Sequence, residues 1–151
     1  MLSVAHEATF PVRCISFGIV TNTSHPLVYE PLSVSRLGDL MLGEDESGRW
    51  RLIAEFLEDY RWEAAATRSA LLEDEPAPTG DERWDVFLAA LAEYVAVRDN
   101  RAAPPWTQHR TLRQFWFPFN TPAARVDAIV HAPASFRRRG VFMAPQELVV
   151  V

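Results

Sequence analysis

The segment Thr79-Gly80-Asp81-Glu82, followed by Trp84, Phe87, Leu88, Leu91, Tyr94 and Val95, constrains the fold more than any other stretch. A Thr and a Glu three positions apart, ahead of an apolar run, form a capping box. The hydroxyl accepts from one free backbone N–H and the carboxylate reaches back to another. The six apolar residues recur at intervals of three and four, which places them on one broad helical face. Arg98 closes the pattern where a cation suits the helix dipole. The segment predicts a helix over residues 80–99. Its stripe is the widest in the chain, so this helix is expected at the centre.

The flanking sequence keeps the same period. Glu44, Asp45 and Glu46 precede Ser47, which is read as an N-cap. Trp50, Ile53, Leu57 and Tyr60, widened by Phe56, then form a second apolar stripe. Ala64–Leu72 reads as a short helix of strong formers, stopped by Pro76 and Pro78. After the linker Ala102-Ala103-Pro104-Pro105, Thr107 is placed to cap a helix carrying Leu112, Phe115 and Trp116, ended by Phe117-Pro118-Phe119. Thr121-Pro122 starts another helix, with Thr as cap and Pro in the first helical position. Val126, Ile129 and Val130 are expected to face inward from it. Pro133 ends that helix and begins one more, which Gly140 stops. Val141-Phe142-Met143 reads as extended, and Pro145–Leu148 as a turn.

Residues 1–40 differ. Ile15, Phe17 and Ile19 alternate with smaller residues at strand period, residues 21–26 have turn composition, and Leu27–Tyr29 reads as a second short strand. The alternative is a poorly ordered extension, or a start misplaced upstream of Met41. The expected organisation is an N-terminal extension over 1–43, strand-like or poorly ordered, and one helical domain over 44–148. The expected fold class is all-α: a bundle of five or six short helices with minor β at the N- and C-terminal ends.

A chain of 151 residues is long enough for one domain with a real core. All 15 of its basic residues are Arg. That removes Schiff-base, P-loop and general-base lysines together. Cys14 is the single cysteine, so neither an intrachain disulfide nor a cysteine metal site can form. No G-x-S-x-G, H-E-x-x-H or glycine-rich phosphate loop is present. Neither cofactor nor metal is expected, and the chain reads as non-enzymatic. No apolar run reaches the length of a membrane span. The lone thiol and the lack of a signal-like start point to the cytoplasm.

Charge is unevenly placed. Residues 1–100 carry 8 Arg against 18 acids, whereas residues 101–151 carry 7 Arg against Asp127 and Glu147. This suits a partner with patches of both signs, or simply helices with solvated charged faces. Phe115-Trp116-Phe117-Pro118-Phe119 holds more aromatics than one helix face can bury. Phe115 and Trp116 are read mainly as core, while Phe117 and Phe119 are candidate anchors for a partner. Arg137, Arg138 and Arg139 are candidates for partner contact through their planar forks. Against that, cations followed by Gly are also what a helix C-terminus calls for. Asp127 and His131, four apart, are read as a simple hydrogen-bonded pair.

Three stretches together carry a resemblance: Pro76-Ala77-Pro78-Thr79-Gly80-Asp81 with Trp84-Asp85, Phe115-Trp116-Phe117-Pro118, and Ala134-Ser135-Phe136-Arg137-Arg138-Arg139-Gly140-Val141-Phe142. Over about residues 40–148 the chain resembles small actinobacterial helical proteins of toxin–antitoxin type. These accompany nucleotidyltransferase-like toxins, and some carry an added helix-turn-helix. The resemblance implies an antitoxin-like protein that binds and masks a protein partner, a nucleotidyltransferase-like toxin, and the aromatic run and the local excess of Arg place that contact in the C-terminal half. Nothing in residues 1–40 shows the paired helices of a helix-turn-helix. The alternative is a nucleic-acid-binding transcriptional regulator that uses the Arg-rich C-terminal half.

Overall fold

The computed structural model describes residues 29–149. The strand readings at Ile15–Ile19 and Leu27, and the turn between them, lie outside those residues. Tyr29 to Ser33 carry no regular secondary structure. Six α-helices follow: α1 (Val34–Met41), α2 (Glu46–Trp62), α3 (Ala65–Glu73), α4 (Glu82–Arg98), α5 (Pro122–His131) and α6 (Ala134–Arg137). Short 3-10 turns occupy Pro105–His109 and Pro145–Leu148. The protein is an all-α bundle. Among the described residues its β content is one isolated parallel bridge between Trp116 and Val141. No helix among them is long and apolar enough to cross a membrane.

Helix α4 is the axis of the bundle. Eleven of its 17 residues are buried, and they include Val86, Ala89, Ala90 and Ala92 as well as all of the expected stripe except the half-buried Tyr94. The helix is therefore enclosed on nearly every side, and its alanines let neighbouring chain approach closely. Trp84 and Phe87 anchor an aromatic cluster with Trp50 of α2, Trp116 and Phe136 of α6, with ring centroids 5.1–6.3 Å apart. Edge-on arrangements dominate, as the ring quadrupoles favour.

The start of α4 is built differently from a capping box. Asp81, not Thr79, is the N-cap, and its carboxylate accepts from the Arg83 N–H at 3.0 Å. Thr79 is buried. Its N–H and its hydroxyl both donate to Asp85 Oδ1, each at 2.7 Å. Likewise α2 is capped by Asp45, which accepts from Gly48 N at 2.7 Å, and Ser47 lies inside the helix. In both places a carboxylate takes the cap, where its negative charge also suits the positive end of the helix dipole.

The helical body begins before residue 44. In α1, Val34, Leu37 and Met41 are completely buried in the same core as α4. Gly38 lies where the helix crosses the Pro76–Ala77 segment: a Cβ there would sit 2.6 Å from Pro76 Cβ. Ser33 caps the helix by accepting from Arg36 N at 3.2 Å. The composition shift near residue 44 hid this element, because an eight-residue helix shows only two turns of pattern.

The segment after α4 also departs from expectation. Thr107 does not cap a helix over Leu112–Trp116. It lies in the Pro105–His109 turn, and its hydroxyl donates to the Pro104 carbonyl at 2.8 Å. Residues 110–121 are then held by side chains and by the segment around Gly140. Arg110 spans Glu75, the Pro76 carbonyl and the Asp85 carbonyl. Leu112 N donates to Arg139 O, Trp116 N to Gly140 O and Phe142 N to Trp116 O, at 2.8–2.9 Å. Gly140 has φ +83°, a left-handed conformation that suits glycine, and it turns the chain from α6 into this bridge.

Candidate functional site

The residues singled out from the sequence divide between surface and interior. Arg139 is 2% exposed. Its guanidinium donates to Glu93, to the Thr107 carbonyl and to the Ser135 carbonyl. Burial pulls its pKa below the ordinary arginine value, against the opposing pull of Glu93. Arg138 reaches the same buried Glu93 carboxylate from the surface. Arg137 is exposed. The run of three arginines is thus one buried tie, one surface tie to the same acid, and one solvated cation. A buried carboxylate needs such partners, since a lone charge in the core is expensive. Glu93 was not picked out from the sequence. The available signal was a single acid at i+2 and i+5 from Leu91 and Leu88, among the buried residues of the central helix.

The aromatic run also divides. Trp116 packs edge-on against Trp84 at 5.3 Å. Phe119 turns onto Trp50 at 5.0 Å. Phe117 is half-buried, stacks on Phe142 at 5.2 Å, and carries the Arg125 guanidinium 4.6 Å over its ring. Phe115, expected inside, is 72% exposed and meets only the edge of Phe142 among the aromatic rings, at 5.1 Å.

The largest departure is in α5. Thr121 caps it as expected, accepting from Ala124 N at 3.2 Å. Yet Val126, Ile129 and Val130 point outward, with exposures of 64%, 54% and 61%. The face turned to the body carries Ala124, Asp127 and Ala128. Asp127 accepts from His131 Nδ1 at 2.6 Å and from Gln146. Three large aliphatics at i, i+3 and i+4 thus form a stripe that covers nothing in this chain's described residues. Arg125 joins the first turn of α5 to the Phe117–Phe142 pair. Arg113 and Arg137 are exposed in the same part of the chain.

This surface carries apolar side chains and arginines. Among the described residues no three His, Cys, Asp or Glu side chains converge as a metal site would require. Comparison of the chain with protein-family models, with curated proteins and with solved structures finds no match.

Proposed function

We infer that the protein is a non-enzymatic interaction module of the antitoxin kind, working in the cytoplasm and masking a protein partner with its C-terminal third. The observation that carries this reading is the outward stripe of α5. Val126, Ile129 and Val130 are more than half exposed while only small side chains seat the helix. Exposed apolar stripes with polar rims are what protein partners cover. Phe117, under the Arg125 guanidinium at the start of α5, and Phe115, beside it on Phe142, serve as aromatic anchors, and Arg125 supplies rim charge. The partner expected from the resemblance is a nucleotidyltransferase-like toxin. The surface differs from the one drawn from the sequence, because Phe119 and Arg139 are spent on the core.

The regulator reading, which uses the Arg-rich C-terminal half, has less to stand on, since two arginines of the 137–139 run are committed to Glu93. A titration separates the two. The protein is mixed with the product of the adjacent gene, and separately with the upstream DNA, each at two salt concentrations. Tight protein binding that Ile129→Asp or Phe117→Ala weakens by about tenfold or more supports the masking role. DNA binding that falls log-linearly with salt and depends on Arg137 would replace it with the regulator.

A further inference from the structure

Between α2, α3, α4 and the final 3-10 turn there is a cavity of about 280 Å³. Its walls are apolar where Leu57, Val95 and Leu148 line it, and cationic where Arg61, Arg68 and Arg98 do.

The charges around it do not balance. Asp99 is the one carboxylate in the lining. It accepts from the Tyr60 hydroxyl and from Arg101, each at 2.7 Å, and pairs with Arg68 at 3.1 Å. Two guanidinium groups on one carboxylate leave positive charge over. Arg98 adds more: it makes no ion pair among the described residues, and its guanidinium rests 5.5 Å from the Tyr94 ring centre. Arg61 is shared with Glu58 at the surface, 3.5 Å away. The carbonyl end of α4 offsets only about half a charge. Arg68 also keeps a buried Nε without a hydrogen-bond partner. In a chain of net charge −5, this cavity is a local positive well with greasy walls.

We propose that the cavity binds a small amphipathic organic anion, a carboxylate with an apolar body, its head toward Arg98 and Arg68 and its body against Leu57, Val95 and Leu148. The apolar walls argue against inorganic phosphate, which would leave them uncovered. The surplus of guanidinium argues against a neutral hydrocarbon, because focused positive potential favours an anion. Arg geometry matches a planar carboxylate through paired N–H donors.

The test uses the full chain and three probes: octanoate, 1-octanol and acetate, titrated by calorimetry. Octanoate binds saturably at one site, while octanol (body without charge) and acetate (charge without body) each bind at least about tenfold more weakly. Arg98→Glu, at an exposed position, weakens octanoate by about tenfold or more. Leu57→Trp, which fills the cavity, does the same without touching the charges. Circular dichroism confirms that each variant is folded. Absence of saturable octanoate binding overturns the proposal, as does octanol binding as tightly as octanoate. So does octanoate affinity unchanged in Arg98→Glu, which decides the matter even where Leu57→Trp does not fold.

Discussion

Glu93 is the residue on which the interior charge balance turns. It lies among the apolar side chains of α4 and is held by Arg138 and Arg139. Glu93→Gln leaves the buried Arg139 cation without its counter-ion, and is expected to cost about 3–5 kcal/mol in urea unfolding. Arg137→Ala, on the solvated neighbour, is expected to change stability by less than about 0.5 kcal/mol. Thr79 has a similar hidden role. Thr79→Ala removes a hydroxyl bonded to the Asp85 carboxylate rather than a cap, which raises the expected loss to about 1.5–3 kcal/mol. At Gly38, an added methyl meets the Pro76 ring, which cannot swing aside, so Gly38→Ala is expected to destabilise by about 1–3 kcal/mol despite the better helix propensity.

At the level of elements, what the sequence discloses depends on how much pattern an element carries. Helix α4 spans nearly five turns, and its apolar residues announce both its existence and its centrality. Helix α2 is legible for the same reason, and the nine-residue α3 because Ala and Leu are strong helix formers, each to within a residue or two at its ends. Helix α1 has two turns and was hidden. Its membership of the core predicts that Leu37→Ala costs about 2–5 kcal/mol within a single cooperative melt. Residues 110–121 look helical from Leu112, Phe115 and Trp116, but the hydrogen bonds that hold them run from Arg110 to residues 75–85 and from Leu112 and Trp116 to residues 139–142, too far along the chain for local reasoning. Helix α5 is the instructive failure. Its period and cap are correct, yet periodicity gives the angle between two faces and not which of them is inside. The rule that large aliphatics go inward chose the wrong one. Val126→Asp and Ile129→Asp are therefore expected to leave the melting temperature within about 3 °C of the parent, as surface changes do. Such changes at Leu88 or Leu91 would abolish folding. Of the candidate site, Phe117 and Arg137 were legible as surface residues; Phe115 and the α5 stripe were not.

For the whole molecule, pH acts at two ends. Asp81 has its carboxyl held below the usual range, chiefly by hydrogen bonds from Arg83. Asp99 is lowered too: burial would raise it, but the Tyr60 and Arg101 hydrogen bonds and the Arg68 charge outweigh that. Both stabilise the fold above the unfolded carboxyl value of about 4, and the contribution is lost as pH falls toward their lower folded values. Tyr60 is shifted upward by burial and by Asp99. Its contribution is complete below about pH 10 and is lost as pH rises toward the folded value. Urea midpoints against pH should thus fall at both extremes, and Tyr60→Phe should flatten the alkaline side and, by removing a hydrogen bond that holds Asp99 low, part of the acid side as well. The enclosure of α4 also orders events during synthesis. Its helix leaves the ribosome before Phe136, Arg138 and Arg139, the residues that cover Phe87 and pair Glu93. Until they emerge, the nascent chain carries an open greasy cleft with an unpaired acid in it. A chain released at residue 132 should therefore bind a hydrophobic dye and be degraded rapidly, whereas a chain that continues through Phe136, Arg138 and Arg139 has the cleft covered and the acid paired.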